Sequence, residues 1–471
     1  MLNQTLQEKY PHLEISVLKL SEVQKDNESK RIDSEFFKKE YFDAMETMQL
    51  NQVEYLGDNM KFNSRYSQPK YDETSKIKVI NSQYIRNEYI DYENAKSGYG
   101  KIVPKESVLI NATGVGTLGR VFINILDFDF SIDSHINVIV VKNKTYLNPY
   151  FLAIFLQSYY GQIQIIRYYS GTSGQIEIYP RDFNYFKIPI FPMEFQLEIQ
   201  NLVKDSHKAL EESKELYKKA EETLYLELGL DPKNPLQSLL DSKTNNPTNS
   251  PNISIHTLKE SFLKTGRLDS EYYQSKYEDI EKFIKSYPNG YDSFSSIINN
   301  KDTNFTPKNN ENYSYIELAN IGNNGNISEL ISDLGKNLPT RARRIVSKGD
   351  VIISSIEGSL SSCALITQEF DKHLVSTGFF VLNSKLLNGE TLLVMFKSQI
   401  FQEYLKKFPS GTILCAINKE ELSKILIPKI DSTTQEKIAK YIQESFNLRK
   451  KSKQLLDNAK IKVEEQIQGK I

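Results

Sequence analysis

The chain has 471 residues, enough for two or three domains that each bury a core. Its 59 basic and 60 acidic side chains leave a formal charge of −1, so no global field draws it toward nucleic acid or an anionic membrane, and such contacts must come from local patches. Two cysteines without Cys-x-x-Cys spacing, five scattered histidines and no long apolar run argue against a disulfide framework, a structural metal or a membrane span; a soluble protein of a reduced cytosol, without signal peptide, cofactor or metal, is expected.

In chain order, the first marked feature is Arg31-Ile32-Asp33-Ser34-Glu35-Phe36-Phe37. Its carboxylates are expected to cap backbone and pair with Arg31 rather than bind metal. Through residue 192, short β-branched runs such as Val108-Leu109-Ile110 alternate with polar loops, as in an α+β domain. Gly114-Val115-Gly116-Thr117-Leu118-Gly119 has the Gly-x-Gly-x-x-Gly spacing, but residues 120–125 read as a strand. A dinucleotide site needs a helix there, so a tight turn between strands is expected. Asn148-Pro149-Tyr150-Phe151 lacks one proline of the Asn-Pro-Pro-Tyr/Phe tetrapeptide of N6-adenine methyltransferases. A helix start fits it better, with Asn148 as cap and Leu152, Phe155 and Leu156 on the core face. Ser170-Gly171-Thr172 and an Ile188-Pro189 exit close the segment.

A long helical pattern follows. Ile199, Val203, Ser206, Leu210, Ser213, Tyr217, Ala220 and Leu224 are spaced alternately by four and three residues, a heptad seam on a charged helix. An ordinary surface helix on its own domain is the alternative. Small serines and alanines at matched places favour close approach of a second helix. Residues 231–252, with four prolines and several Asn and Ser, read as a linker that is extended at least in part.

Then the whole series recurs. Arg267-Leu268-Asp269-Ser270-Glu271-Tyr272-Tyr273 answers the first motif, Val351-Ile352-Ile353 the strand, Ser410-Gly411-Thr412 the loop, and Pro428 the proline exit. Gln196 and Gln435 follow the two prolines. The second seam is Ile438, Ile442, Ser445, Arg449, Ser452, Leu456, Ala459 and Val463. Arg449 departs from it, with a stem that can lie along the seam while its head stays wet. A tandem duplication builds two similar bodies, and its target is expected to have two parts.

These residues together resemble the specificity subunits of type I DNA restriction–modification systems. The resemblance rests on the two Arg-x-Asp-Ser-Glu motifs, which look like the helix opening each recognition domain, and on Lys348-Gly349-Asp350-Val351-Ile352-Ile353-Ser354, of which residues 105–111 are a weaker version. The Ser-Gly-Thr loops, the Ile-Pro exits and the heptad helices complete it. It implies an α+β protein with two tandem target-recognition domains, residues 1–192 and 253–430. Two long antiparallel spacer helices, residues 193–230 and 431–471, would lie between them around a pseudo-two-fold repeat, with residues 231–252 as linker. It also implies no catalysis by this chain. Its partners would be double-stranded DNA with a bipartite target, methyltransferase subunits and restriction subunits, without a membrane. An adenine methyltransferase in its own right, a specificity subunit of a combined restriction–methylation system, and a coiled-coil scaffold remain alternatives.

Base-reading residues are expected where the halves differ. Candidates in the first half are Lys61, Asn63, Ser64, Arg65, Tyr99, Lys101 and Arg167. Those in the second are Lys301, Asn304, Thr306, Lys308, Arg341, Arg343, Arg344, Lys406 and Lys407. They are side-chain types that reach phosphates and base edges. Solvated loops are the competing account.

Overall fold

The computed structural model describes residues 2–13, 15, 17–25, 27, 30–172, 174–241, 255–328, 330–411 and 415–470. The chain divides into two compact units, residues 1–211 with 449–471, and residues 212–448. Both mix helices with mixed sheets, an α+β architecture.

In the first unit the strands are β1 (Val53–Tyr55), β2 (Met60–Arg65), β3 (Lys70–Tyr71), β4 (Lys78–Ile80), β5 (Lys96–Tyr99), β6 (Val108–Asn111), β7 (Val121–Ile123), β8 (Phe130–Ile132), β9 (Ile136–Val141) and β10 (Lys187–Pro189). Strand β1 pairs antiparallel with β10, which joins the domain's entry to its proline exit. A central sheet runs β2-β9-β6-β7 and a second sheet β3-β5-β4-β8, with β4 and β8 parallel. Period-two alternation gives the central sheet two buried faces. Val108, Ile110, Val121, Ile123 and Ile139 pack on helices, while Leu109, Phe122, Ile136 and Val138 meet Ile80, Phe130 and Ile132 of the second sheet.

The helical layer contains Lys39–Met48, Pro149–Gln157 and Tyr159–Tyr168. Asn148 caps the second of these, accepting Tyr150 N–H at 2.9 Å, and Pro149 opens it. The Gly-x-Gly segment is the β6–β7 turn, with Gly114, Gly116 and Gly119 all at positive φ and strand β7 directly after it. The Arg-x-Asp-Ser-Glu motif, expected to be helical, is a turn that ends before the Lys39–Met48 helix.

The second unit repeats this order with β11 (Tyr291–Ser293), β12 (Ile298–Asn300), β13 (Asn312–Ile316), β14 (Ile331–Leu334), β15 (Ala342–Ile345), β16 (Val351–Ser354), β17 (Cys363–Leu365), β18 (Leu374–Ser376), β19 (Phe379–Ser384) and β20 (Leu426–Pro428). Its sheets run β12-β19-β16-β17 and β14-β13-β18-β15, and β11 pairs with β20. Again Val351 and Ile353 face the helices and Ile352 the second sheet. Part of the expected linker is ordered: Pro235–Asp241 is a helix whose Leu239 is buried in this core. Residues 242–254, the rest of that segment and the approach to the second half, lie outside the described residues, as do Ser173 and residues 412–414.

Two long helices, Met193–Glu227 and Ser432–Ile467, each contribute to both units. In the first unit Ile199 and Val203 of one helix share a core with Leu456, Ala459, Val463 and Ile467 of the other. Glu198 pairs with Lys462 at 2.7 Å, and Ser206 Oγ donates to the Ser452 carbonyl at 2.8 Å, so the two helices run antiparallel there. In the second unit Ser445 Oγ donates to the Ser213 carbonyl at 2.7 Å and Thr434 bonds Glu227 at 2.8 Å, antiparallel again. Leu210 is buried, as are Tyr217, Ala220, Ile438 and Ile442, the latter four in the second unit's core. Arg449 differs from expectation. Its Nε is buried with no hydrogen-bond partner among the described residues, and burial holds its guanidinium below the ordinary value.

One buried glutamine ties each long helix to its domain. Gln196 Oε1 accepts Asn148 N–H at 2.7 Å, and its Nε2 donates to the carbonyls of Tyr146 and Phe191 at 3.0 and 2.8 Å. Gln435 does the same for Asn388 N–H, Leu386 O and Ile430 O at 2.9, 3.0 and 2.9 Å. Three bonds satisfy what burial would otherwise leave dry.

Candidate nucleic-acid interface

The second sheet of the first unit has an exposed basic and aromatic character. Tyr99 at the end of β5 is 53% exposed, and Tyr71 of the neighbouring β3 is 43% exposed. Lys70, Lys96 and Lys101 are exposed beside them. Gly98 allows this ladder to close, because a Cβ there would stand 2.6 Å from the Lys70 carbonyl oxygen. The Lys101 ammonium sits 4.7 and 4.6 Å from the Phe62 and Tyr66 ring centroids, a cation held over two rings with its head toward water. Lys70, Tyr71 and Lys96 were not singled out from sequence; the interleaving of lysine and tyrosine along β3 and β5 was the available signal.

Residues 61–65, expected in a loop, form strand β2. Lys61 is exposed. Asn63 bonds Pro180 O at 2.5 Å and accepts from Asn137 at 2.7 Å, and Ser64 Oγ donates to the Arg65 carbonyl at 2.8 Å. Arg65 is clasped by the Glu177 carboxylate and the Ile178 carbonyl. These polar groups serve the unit's own interior.

In the second unit Asn304, Thr306 and Lys308 are exposed after β12, with Lys308 paired to Glu311 at 2.7 Å. Lys301 is spent on Asp350, a 2% exposed carboxylate, at 2.8 Å. Arg341 and Arg343 are exposed, and Arg343 occupies the irregularity between Ala342 and Arg344 in the β15–β18 ladder. Such bulges re-aim a side chain away from the pleat. Arg344 points inward instead: it donates to the Phe379 carbonyl, its Nε is buried without a partner among the described residues, and burial lowers its pKa. The three neighbouring arginines therefore separate into two outer groups and one inner one.

Three other cations turn out to be enclosed or paired. Arg167 is 4% exposed, with its guanidinium carbon 3.8 Å from the Tyr41 ring centroid and 4.2 Å from that of Phe36. Lys407 meets Glu281 at 2.5 Å and Lys406 meets Glu403 at 2.7 Å. The repeated motif explains why this region is so tightly built. Arg31 forms a two-bonded pair with Asp33, both contacts at 2.7 Å, and its Nη1 donates to the carbonyls of Arg167 and Tyr169 at 3.1 and 2.8 Å. Arg267 pairs with Asp269 and donates to Phe408 O and Pro409 O at 3.2 and 2.8 Å. Each clamp holds the chain entering a Ser-Gly-Thr loop, whose neck in the first unit is the mutual Ser170–Glu177 backbone pair.

Asn148 is 4% exposed and its amide nitrogen is held by Gln200 at 2.9 Å, so the tetrapeptide resembling a methyltransferase motif is occupied as a helix cap. Among the described residues no group of three or more His, Cys, Asp or Glu could hold a metal, and no helix is long and apolar enough to cross a membrane.

Residues 43–222 match the family model described as type I restriction modification DNA specificity domain. Over that span the chain is similar to a type I DNA specificity domain. The matched span runs from within the Lys39–Met48 helix, through the first unit's sheets, into the first long helix. The type I restriction enzyme HindI specificity subunit of Haemophilus influenzae is 29% identical over 132 residues, 27% of this chain and 28% of that protein. The alignment thus spans under a third of the length of that curated relative. Among solved structures, the type I restriction–modification S subunit from M. genitalium shares 13% identity at a TM-score of 0.41, covering 89% of this chain and 95% of that one. The HsdS subunit from Thermoanaerobacter tengcongensis shares 14% identity at 0.27, covering 89% and 97%.

Proposed function

We propose that this chain is the sequence-reading subunit of a type I restriction–modification complex. Each half, residues 1–192 and 253–430, reads one part of a bipartite double-stranded target. The helices of residues 193–230 and 431–471 form an antiparallel spacer about a pseudo-two-fold axis and set the gap between the parts. Methyltransferase and restriction subunits supply the chemistry. The observation that carries this reading is the specificity-domain match over residues 43–222 together with the recurrence of its landmarks in the second half.

The DNA-facing groups proposed are those that the fold leaves outward: Lys61, Tyr99 and Lys101, joined by Lys70, Tyr71 and Lys96, in the first half, and Asn304, Thr306, Lys308, Arg341 and Arg343 in the second. Near-zero net charge fits a reader that shares its phosphate contacts with partner subunits. The test is methylation of randomised DNA by the complex reassembled with this chain. Two short conserved blocks at a fixed gap support the reading; methylation of a single continuous site, or by this chain alone, overturns it.

A further inference from the structure

The two long helices meet through bonds that the internal repeat exchanges. Ser206 matches Ser445 and Ser213 matches Ser452 in the two halves, and the bonded hydroxyl pairs are Ser206–Ser452 at 2.9 Å and Ser213–Ser445 at 3.0 Å. Each pair is therefore the image of the other. A contact of that kind is self-complementary, so backbone geometry alone lets either helix pair with a second copy of itself. Side chains decide which pairings form. One matched seam position differs in charge between the halves, Leu210 against Arg449, and every other is uncharged in both. That position lies between the two serines of each helix, at the midpoint of the contact.

What surrounds Arg449 comes from the first half. Burial disfavours its charge, and Tyr89, Glu88 and Glu211 favour it. Glu88 lies against the helices at this level: with Asn87 it lines a cavity of about 20 Å³ shared with Ser206, His207 and Leu456. The images of these groups offer nothing comparable. Ile85 and Ile90 bridge around Arg86-Asn87-Glu88-Tyr89, whereas Ile321 and Ile327 bridge around Gly322-Asn323-Asn324-Gly325-Asn326, which has no acid. The image of Glu211 is Lys450. Two second halves brought together would set two Arg449 guanidinium groups at the midpoint of one seam, with Lys450 in the place of Glu211 and a neutral loop in the place of Glu88. Two first halves would set Leu210 beside Leu210. Like charges taken out of water without partners are strongly unfavourable, and a single polar residue in an apolar helix seam selects among pairings.

We propose that Arg449 selects the partner of the second long helix: it admits a first-half helix, from the same chain or from another copy, and excludes a second copy of its own half. The selection follows from the seam itself. Its consequence for DNA rests on the function proposed above: no reader forms that carries the second recognition domain twice, so the second part of the target is read only beside the first. The test uses the full chain with a protease site placed within residues 242–254, cut and equilibrated. Native mass spectrometry then distinguishes first–second, first–first and second–second pairs by mass. Second–second pairs should be at least twentyfold scarcer in wild type than in Arg449→Leu. Leu210→Arg combined with Arg449→Leu should reverse the preference, losing first–first pairs and gaining second–second ones. Should that exchanged chain fail to fold, Arg449→Met tests the same point with an uncharged side chain that adapts to its surroundings. Second–second pairs as abundant in wild type as in Arg449→Leu overturn the proposal. So does their absence from Arg449→Leu while its first–second pairs persist. A wild-type complex that selects no bipartite target would strike the functional reading and leave these pair populations standing.

Discussion

Arg343 and Arg344 are adjacent, yet the structure gives them opposite work. Arg343 projects from a strand irregularity into solvent, while Arg344 bonds the Phe379 carbonyl from inside the unit. Arg343→Ala should weaken binding of the assembled complex about equally across sequences and lower the salt slope by about one, as for a single phosphate contact. Arg344→Ala should instead destabilise the fold by about 1–3 kcal/mol, the range for stranding a buried hydrogen-bonding group, and leave the slope unchanged. Salt titrations and denaturant melts of both variants separate the two roles. The clamp carboxylates add a pH dependence. Arg31's hydrogen bonds hold the Asp33 carboxyl below its ordinary value; for Asp269 burial pushes upward, but the bonds from Arg267 and Tyr272 win and the net shift is also downward. With folded pKa values depressed, the stabilisation is full above the ordinary carboxylate range and is lost as pH falls through the lowered values. Asp33→Asn should therefore be less stable than wild type at pH 6, by under about 1 kcal/mol for so exposed a pair, with the gap closing toward pH 3.

At the scale of elements, the glutamine bridges are the joints between domain and long helix. Gln196→Ala would strand Asn148 N–H and two carbonyls in a buried position and should cost about 2–3 kcal/mol, measured by chemical unfolding. Gln196→Glu should do no better, because a carboxylate there offers no donor to Tyr146 O or Phe191 O. Sequence made these helices legible because a heptad seam, spaced alternately by four and three residues, persists with charged outer faces for over three heptads, and it made Asn148 legible as a cap because Asn-Pro before an apolar run has few other uses. Strand β2 is hard to read from sequence because Lys61, Asn63 and Arg65 look like a solvated loop; only the fold shows that Asn137 and Pro180 engage Asn63 and that Glu177 engages Arg65, while Lys61 stays exposed. The motif is a turn where the resemblance implies a helix, for a related reason. Its Asp-Ser-Glu is cap-like, but Arg31 reaches carbonyls more than a hundred positions away, which no local pattern announces. Candidate DNA contacts were the least legible, since whether a lysine is paired or free depends on tertiary neighbours such as Asp350 for Lys301 and Glu281 for Lys407.

For the whole molecule, the first unit is completed by the far end of the second long helix, not by the first half alone. Leu456, Ala459, Val463 and Ile467 lie in its core. A chain cut after Gly229 exposes that face and should recruit a second copy, whose Tyr217, Ala220, Leu224 and Leu228 take those places by the internal repeat. Sedimentation should show a dimer; a soluble, folded monomer would contradict the account. The most direct test concerns the proposed spacer. The serine pairs Ser206–Ser452 and Ser213–Ser445 lie one heptad apart on each helix, so a heptad inserted after Glu211 and another after Leu448 keeps both pairs in register. Seven helical residues add roughly 10 Å. At about 3.4 Å per base pair that separates the recognition domains by roughly three pairs, with about a quarter turn of rotation about the duplex. Selection from DNA with a randomised gap should show the insertion variant abandoning the native gap, and favouring one about three pairs longer where the linkers absorb the rotation. Unchanged selection of the native gap would contradict the claim that these helices measure the target.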